Sequence, residues 1–466
     1  MKFLKNPLLI VFLQFLIIQT DKLSAQIISS AYRHSLFICN DGTVKSCGLN
    51  LSGQLGDGTT VNKNIPITVP GLSDIIAVSA GYYHSLFLKN DGSVWACGLN
   101  VNGELGDGTT IQKNSPTKIN TLTGITAIAA GYNISLFLKN DGTVWGCGNG
   151  GAGQFGDGTT IIKYTPYKIG GLSNIIAFSL GYEHSLFLKN NGNVVASGNG
   201  SFGQLGNGSN SSTTFTTQVN GISNITAISA GAIHSLFLKN DSTVLACGKN
   251  GNGQLGDGTL LDNSAIVQVN NVSGIKSIVG GIFHSLFLKN DGTILATGEN
   301  SSGELGDGTI INKASPIIIS SLSGVASISA GSNSIFGKNN GSAWSCGYNN
   351  AGQLGDGTTV NKLNPVQIIN LCPLTINVKE NLNLNKSIIL YPNPVSNKLT
   401  ILEEQSSSTN FSNENSEIEI INNLGQTVLK LPYTKTFDVS LLSEGYYVLK
   451  ITTLNKEMYF SKFIKN

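Results

Sequence analysis

The stretch Gly81-Tyr-Tyr-His-Ser-Leu-Phe-Leu-Lys-Asn-Asp-Gly-Ser-Val-Trp-Ala-Cys-Gly98, followed by Asn100 and Gly103-Glu-Leu-Gly-Asp-Gly-Thr109, recurs along the chain with a spacing of 50 residues. The Gly-Asp-Gly-Thr element or its variant begins at Gly56, Gly106, Gly156, Gly206, Gly256, Gly306 and Gly355. Six intervals thus run without insertion until one residue drops out of the last. A period this strict specifies a repeat architecture. Within His84-Ser-Leu-Phe-Leu-Lys89, His84, Leu86 and Leu88 share one face and Ser85, Phe87 and Lys89 the other, the period of two of a strand. Asn90-Asp-Gly92 predicts a tight two-residue hairpin, because Asp-Gly tolerates positive φ, and Val94 to Cys97 returns antiparallel.

The remainder of each unit supplies a glycine-rich loop, a short extended run such as Ser115-Pro-Thr-Lys-Ile119 and a β-branched run such as Ile125-Thr-Ala-Ile128. Four strands per unit and seven units predict an all-β, seven-bladed propeller whose blades complete one another's cores. Gln26-Ile-Ile-Ser-Ser-Ala31 matches the strand that ends other units, as in Ile225-Thr-Ala-Ile-Ser-Ala230. The seventh copy stops near Leu371 without one. The expectation is that the mature N-terminus completes the last blade and leaves no bare edge.

Gly-x-x-His-Ser-Leu-x-Leu, Val-Trp-x-Cys-Gly and Asn-x-x-Gly-Gln-Leu-Gly-x-Gly, repeated over residues 31 to about 371, resemble the regulator-of-chromosome-condensation repeats, which form seven-bladed propellers. Departures are scattered: Ile134 replaces histidine in copy three, Asn207-Gly-Ser209 varies the loop in copy four, and copy seven has no histidine.

Lys2 and Lys5, an apolar run from Leu8 to Ile18, and Leu23-Ser-Ala25 before Gln26 read as a secretory signal peptide over residues 1–25. No later stretch approaches the roughly 18 apolar residues of a membrane span, so no span is expected in the mature protein. The propeller is assigned to 26–374 and a polar, asparagine-rich linker to 375–386. Residues 387–466 then alternate as a small β-sandwich. Its strands are placed at Ser387–Pro394, Lys398–Ile401, Ile418–Val428, Phe437–Val439 and Gly445–Ile451, with a polar loop at 403–416. That order resembles the type A C-terminal sorting domain of the type IX secretion pathway of Bacteroidota. The resemblance implies handling by the type IX machinery, with Tyr391, Pro392, Asn393, Pro394, Gly425, Gly445 and Tyr446 as its motif residues, and a secreted or outer-membrane surface location.

Charged residues are 12% of the 466, against a usual level of roughly 25%, and the formal net charge is +2. No basic field exists to hold phosphate backbones, so nucleic acid is not expected as a partner. Cys47, Cys97, Cys147, Cys247 and Cys346 occupy one repeat position and read as small buried residues rather than disulfides. Cys39 and Cys372 fall outside that set and near the expected seam, where a bridge stays open. All five histidines, His34, His84, His184, His234 and His284, share a repeat position. Dispersed one per blade, they suit hydrogen bonding within each blade better than a zinc site. Asp57 and its equivalents supply one carboxylate per blade, too few for calcium, and read as turn formers. The Gly-x-Gly-x-x-Gly matches at Gly148 and Gly198 lie between strands, not before a helix, and carry no dinucleotide signal. Trp95, Trp145 and Trp344 read as interior.

No catalytic constellation stands out from the repeat, and neither an enzyme activity nor a cofactor is expected. What varies is the loop before each histidine: Tyr32-Arg33, Tyr82-Tyr83, Tyr132-Asn133, Tyr182-Glu183, Ala232-Ile233 and Ile282-Phe283. Tyr32, Arg33, Tyr82, Tyr83, Tyr132, Tyr182 and Phe283 are therefore the candidate partner-binding residues, the alternative being that the tyrosines merely cover the blade ends. The favoured function is a secreted or surface binding or scaffold protein whose rim engages an extracellular protein or glycan. An extracellular enzyme acting on polysaccharide or peptide at the ring's centre is the alternative. Nucleotide exchange or chromatin binding, by analogy with eukaryotic members of the family, conflicts with export.

Overall fold

Period-two strands joined by glycine turns produce seven four-stranded antiparallel sheets in strict chain order in the computed structural model, which describes residues 27–374, 389–393, 395–402, 416–422, 427–452 and 458–465. The signal peptide, the linker, Pro394 and Gly425 lie outside the described residues, as does most of the polar loop at 403–416. The chain divides into two compact units between Ile376 and Asn377.

Blade 2 shows the pattern. Its strands, a to d from the axis outward, are Ile75–Ala80, His84–Lys89, Val94–Gly98 and Lys113–Lys118. The a strands of successive blades touch one another around the axis. Both faces of strand b are buried because blades pack on both sides. Phe87 joins Leu36 and Ile38 of blade 1, while Leu86 and Leu88 join Phe137 of blade 3. Each phenylalanine is thus a wedge into the preceding blade, and full burial of such a ring is worth about 3 kcal/mol. The hairpin differs from expectation. Lys89 N–H donates to Ser93 C=O and Gly92 N–H to Lys89 C=O, closing a three-residue loop with Gly92 at φ 77°. Asp91 carboxylate then accepts from the Ser93 N–H and hydroxyl, favouring the longer turn.

The seam also differs. Ile28–Ser30 pairs with His34–Ile38 as strand a of the first blade, not as a strand of the last. Blade 7 is complete from its own residues, Val325–Ala330 through Lys362–Gln367. The start of blade 1's inner strand comes from the far end of the repeat instead. Leu374 bridges Cys39, as Ile75 pairs Lys89 in blade 2, and Pro373 C=O accepts from Asn40 N–H, as Asp74 does from Asn90. The inner strand is therefore spliced from the two ends of the repeat region, and a Cys39–Cys372 disulfide links them across 333 residues. The expectation from the repeat thus has Ile28–Ser30 in the right type of strand but the wrong blade, because a and d strands are both terminal in their sheets.

The C-terminal unit has a three-stranded sheet, Ile389–Tyr391, Lys398–Leu402 and Thr436–Asp438, and a four-stranded sheet ordered Thr427–Pro432, Glu417–Asn422, Gly445–Thr452, Met458–Lys465. Leu399, Ile401, Ile418, Ile420, Leu449 and Phe463 from the two sheets share one core, the expected sandwich. The run expected as one strand, Ile418–Val428, is instead split between two paired strands, Glu417–Asn422 and Thr427–Pro432. Tyr391 is exposed and precedes Pro392 through a cis peptide.

Candidate partner-binding face

Alternating strand direction puts every a–b loop and every c–d loop at one end of the propeller, and every hairpin at the other. The a–b loops are pinned together there. Tyr82 N–H donates to Gly131 C=O of the next blade, Ala232 N–H to Gly281 C=O, and Ser332 N–H to Ala31 C=O across the seam. Gly81 is needed for this approach, since a Cβ would lie 2.6 Å from the His84 ring and 2.8 Å from Gly131 O.

On this ring of loops the tyrosines of four successive blades converge. Tyr32 stacks on Tyr82 with centroids 3.9 Å apart, Tyr132 meets Tyr82 at 4.3 Å, and Tyr182 lies 5.8 Å from Tyr82 and 5.3 Å from Tyr132. Tyr83 meets Tyr82 edge-on at 4.5 Å. The Arg33 guanidinium covers Tyr32 at 4.6 Å and Tyr348 at 5.3 Å. Burial first, then neighbouring tyrosines, push the Tyr82 and Tyr182 hydroxyls well above the usual range, so they remain protonated donors. Phe283 sits half-buried in the sixth blade's loop, and among the described residues no ring contact joins it to the cluster. Six of the seven expected residues thus form one aromatic, singly cationic patch.

Other residues of this face were missed. The position after the strand c glycine reads Leu49, Leu99, Asn149, Asn199, Lys249, Glu299 and Tyr348. Tyr348 holds Arg33, Asn199 donates to the Glu183 carboxylate at 2.9 Å, and Lys249 lies over Phe202 at 4.5 Å. Variation against a constant glycine was the available signal.

The repeat-conserved polar residues, by contrast, are structural. Each histidine Nε2 contacts the serine Oγ of the following blade, as His34 with Ser85 at 2.9 Å and His84 with Ser135 at 2.9 Å. The expected bonding within blades is therefore bonding between them. Ser85 Oγ donates onward to Gln54 C=O, so its lone pair receives the Nε2 proton and fixes the tautomer. The Asp57 carboxylate accepts from Thr59 N–H, Thr59 hydroxyl and Asn50 Nδ2, and pairs with Lys63. Cys97 is buried with its thiol toward Gln54 C=O, and burial pushes the thiol pKa up. Trp95, Trp145 and Trp344 are half-buried rather than interior, two of them under the ammonium groups of Lys139 and Lys338.

A ring of seven near-identical four-stranded blades defines a β-propeller, here with one varied aromatic face. The chain belongs to the RCC1-like domain family, whose profile matches residues 73–381, with regulator of chromosome condensation (RCC1) repeats also matched at 27–54 and 41–88. A secretion system C-terminal sorting domain matches residues 389–466, which marks the chain for type IX secretion to the cell surface or beyond. Prp20p from Saccharomyces cerevisiae, described for its binding to Gsp1p and histones, has 25% sequence identity and a TM-score of 0.63, covering 74% of this chain and 88% of its own. Yeast RCC1 (Prp20) bound to Kap60 matches at 24% identity and TM-score 0.63, over 76% and 90% of the two chains. Human WBSCR16 matches at 21% and 0.63, over 70% and 94%. No curated protein matches at a significant level.

Proposed function

We propose that this chain is an exported binding or scaffold protein that engages an extracellular protein or glycan through the end of the propeller bearing Tyr32, Arg33, Tyr82, Tyr83, Tyr132 and Tyr182. The convergence of tyrosines from four blades supports this reading most directly. Most repeat positions are held alike by blade contacts, whereas this one is tyrosine in blades 1 to 4 and gives way to Ala232, Ile282 and Ser332 in the rest. Tyrosine offers a rigid apolar face and a hydroxyl, which suits both protein anchors and sugar rings. Phe283 extends the face on the far side of the ring. Residues 1–25 act as the signal peptide, 26–374 as the binding propeller, 375–386 as the linker and 387–466 as the sorting domain. The type IX machinery reads Tyr391, Pro392, Asn393, Pro394, Gly425, Gly445 and Tyr446. Binding to Gsp1p and histones, described for Prp20p, does not transfer, because export separates the chain from such partners and its net charge is only +2.

The test is affinity capture from the native extracellular milieu with the full chain as bait. Replacing Tyr82, Tyr83, Tyr132 and Tyr182 with alanine removes the captured partner while the propeller still melts cooperatively. Undiminished capture moves the site off this face.

A further inference from the structure

The chain's 29 basic residues include a single arginine, Arg33, and it stands in the tyrosine-bearing face. Planar groups from three blades meet there in one run of contacts across the seam. Tyr348, the Arg33 guanidinium, Tyr32 and Tyr82 follow one another at 5.3, 4.6 and 3.9 Å. Contact with two rings fixes the guanidinium in place, since its flat, weakly hydrated surface stacks on aromatic faces in a way an ammonium does not.

That charge is left unanswered. Among the described residues Arg33 has no ion pair and no side-chain hydrogen bond, and its Nε is buried without a partner. The two Nη groups are not buried, so the forked end remains for a ligand. Carboxylates on this face do not take it. Glu183 accepts from Asn199, and Glu299 forms no ion pair with Arg33 among the described residues. A guanidinium that is always charged, half-buried and held by its flanks is prepared for two parallel hydrogen bonds to a planar carboxylate. The same face offers other side-chain partners. The Tyr82 and Tyr182 hydroxyls remain protonated, and Asn149 accepts from Gly151 N–H on Oδ1, which leaves its Nδ2 to donate. Main-chain donors are already engaged, with Tyr82 N–H on Gly131 C=O and Tyr182 N–H on Ala232 C=O.

We propose that Arg33 determines the specificity of this face and that the ligand is an acidic glycan, an inference that rests on the face being the binding surface. A uronate carboxylate takes the Arg33 fork, and adjoining sugar rings lie against the tyrosines, whose apolar rings and hydroxyls match the two characters of a pyranose. An acidic peptide fits less well. Its main-chain N–H and C=O groups would need partners, and the loop donors that could answer them are bonded to the neighbouring blade, whereas sugar hydroxyls need only the side-chain hydroxyls and amides present.

The probes are immobilised oligosaccharides of galacturonic, glucuronic, mannuronic and guluronic acid, each beside its carboxyl-reduced neutral form, with the ligand retained best then titrated by calorimetry against the full chain. At least one uronate series should bind, and reduction of its carboxyl groups should weaken Kd at least tenfold, a comparison that needs no protein variant. Arg33→Asn copies Asn133 of blade 3, and Lys249→Asn copies Asn149 and Asn199, so sister blades already accommodate both. Arg33→Asn should bind the acidic and reduced forms equally. Lys249→Asn removes the other cation of this face and should leave the preference intact. Retention of no uronate, equal affinity for the reduced forms, or a preference that survives Arg33→Asn overturns the proposal. Tighter binding of a polyglutamate peptide or of a sulfated neutral oligosaccharide overturns it too, because the carboxylated glycan is then not the ligand. A partner lost when Tyr82, Tyr83, Tyr132 and Tyr182 are replaced by alanine but bound fully by Arg33→Asn overturns this inference alone and leaves the tyrosine face standing. Uronate bound undiminished by the tyrosine variant overturns both.

Discussion

Acidification to pH 5 should unfold the propeller before its carboxylates are neutralised, because five buried histidines hold the blades together in their neutral form. Burial is the main cause that lowers their pKa from 6.5, to about 3 for His34 and His234 and about 4 for His84, His184 and His284. Each donates Nε2–H to a serine at 2.9–3.0 Å, an arrangement a second proton could join only in a desolvated interface. The folded pKa values lie below the unfolded value. The stability is therefore fully present above about pH 6.5 and lost as pH falls toward 4. At pH 5 each unfolded histidine gains about 2 kcal/mol by protonation, at 1.4 kcal/mol per pH unit. Five sum to about 10 kcal/mol, comparable with the whole stability of an ordinary domain. Urea unfolding from pH 8 to 5 should show a free energy that falls with pH ever more steeply, approaching five protons' worth. His84→Asn, which copies Asn333 of blade 7, should remove about one fifth of that slope. A midpoint that stays constant between pH 8 and 5 would refute the argument.

Other outcomes follow from the same geometry. Ser185 Oγ is buried without a hydrogen-bond partner where copy three carries Ile134 in place of histidine, so Ile134→His should raise stability by about 1 kcal/mol at pH 8 and lose that gain at pH 5. Phe87→Ala empties the wedge between blades 1 and 2 and should cost about 3–5 kcal/mol in urea unfolding. Asn100 receives Leu105 N–H on Oδ1 and donates from Nδ2 to Asp107 and Thr109 C=O. Asn100→Ala should therefore cost about 2–4 kcal/mol and make the loop at residues 101–112 the first site of limited proteolysis.

Opening the disulfide tests the spliced strand. A loop of 333 residues corresponds to about 6 kcal/mol of chain entropy in the closure account, and measured disulfides reach about 5. Cys39→Ser with Cys372→Ser should lower the thermal midpoint by several degrees, and reductant should do the same to the unaltered protein but not to the variant. Equal midpoints in all three would mean that the backbone pairing of Leu374 with Cys39 closes the ring by itself.

Strand positions, blade number and the equivalence of the histidines were legible because each is dictated within one repeat and written seven times. The seam was not, since the pairing partner of Ile28–Ser30 is a matter of ring order, and strands a and d both end a sheet. The bonding of His34 to Ser85 was equally hidden. Both residues are visible in every copy, but a repeat read alone cannot say whether two of its residues meet each other or meet those of the neighbour. The variation of the loop positions of Tyr32, Arg33 and Tyr83 was legible in the repeats, but the meeting of four tyrosines, and of Arg33 with Tyr348, depends on how neighbouring blades face one another.

That asymmetry between fixed and free positions bears on function. A residue such as His84, Phe87 or Gly81 contacts the next or preceding blade, so one substitution disturbs a joint, and the same joint recurs around the ring. The side chains at positions 82 and 83 project from the loop, touch few such joints and are free to differ. Differences there turn a sevenfold ring into an object with distinct sides, with tyrosines grouped on blades 1 to 4 at one end. Contact among the tyrosines adds roughly 0.5–1.5 kcal/mol per pair, but blades 5 to 7 close the same ring with Ala232, Ile282 and Ser332 at this position. Clustering of the departures on adjacent blades is what a partner spanning more than one blade would require.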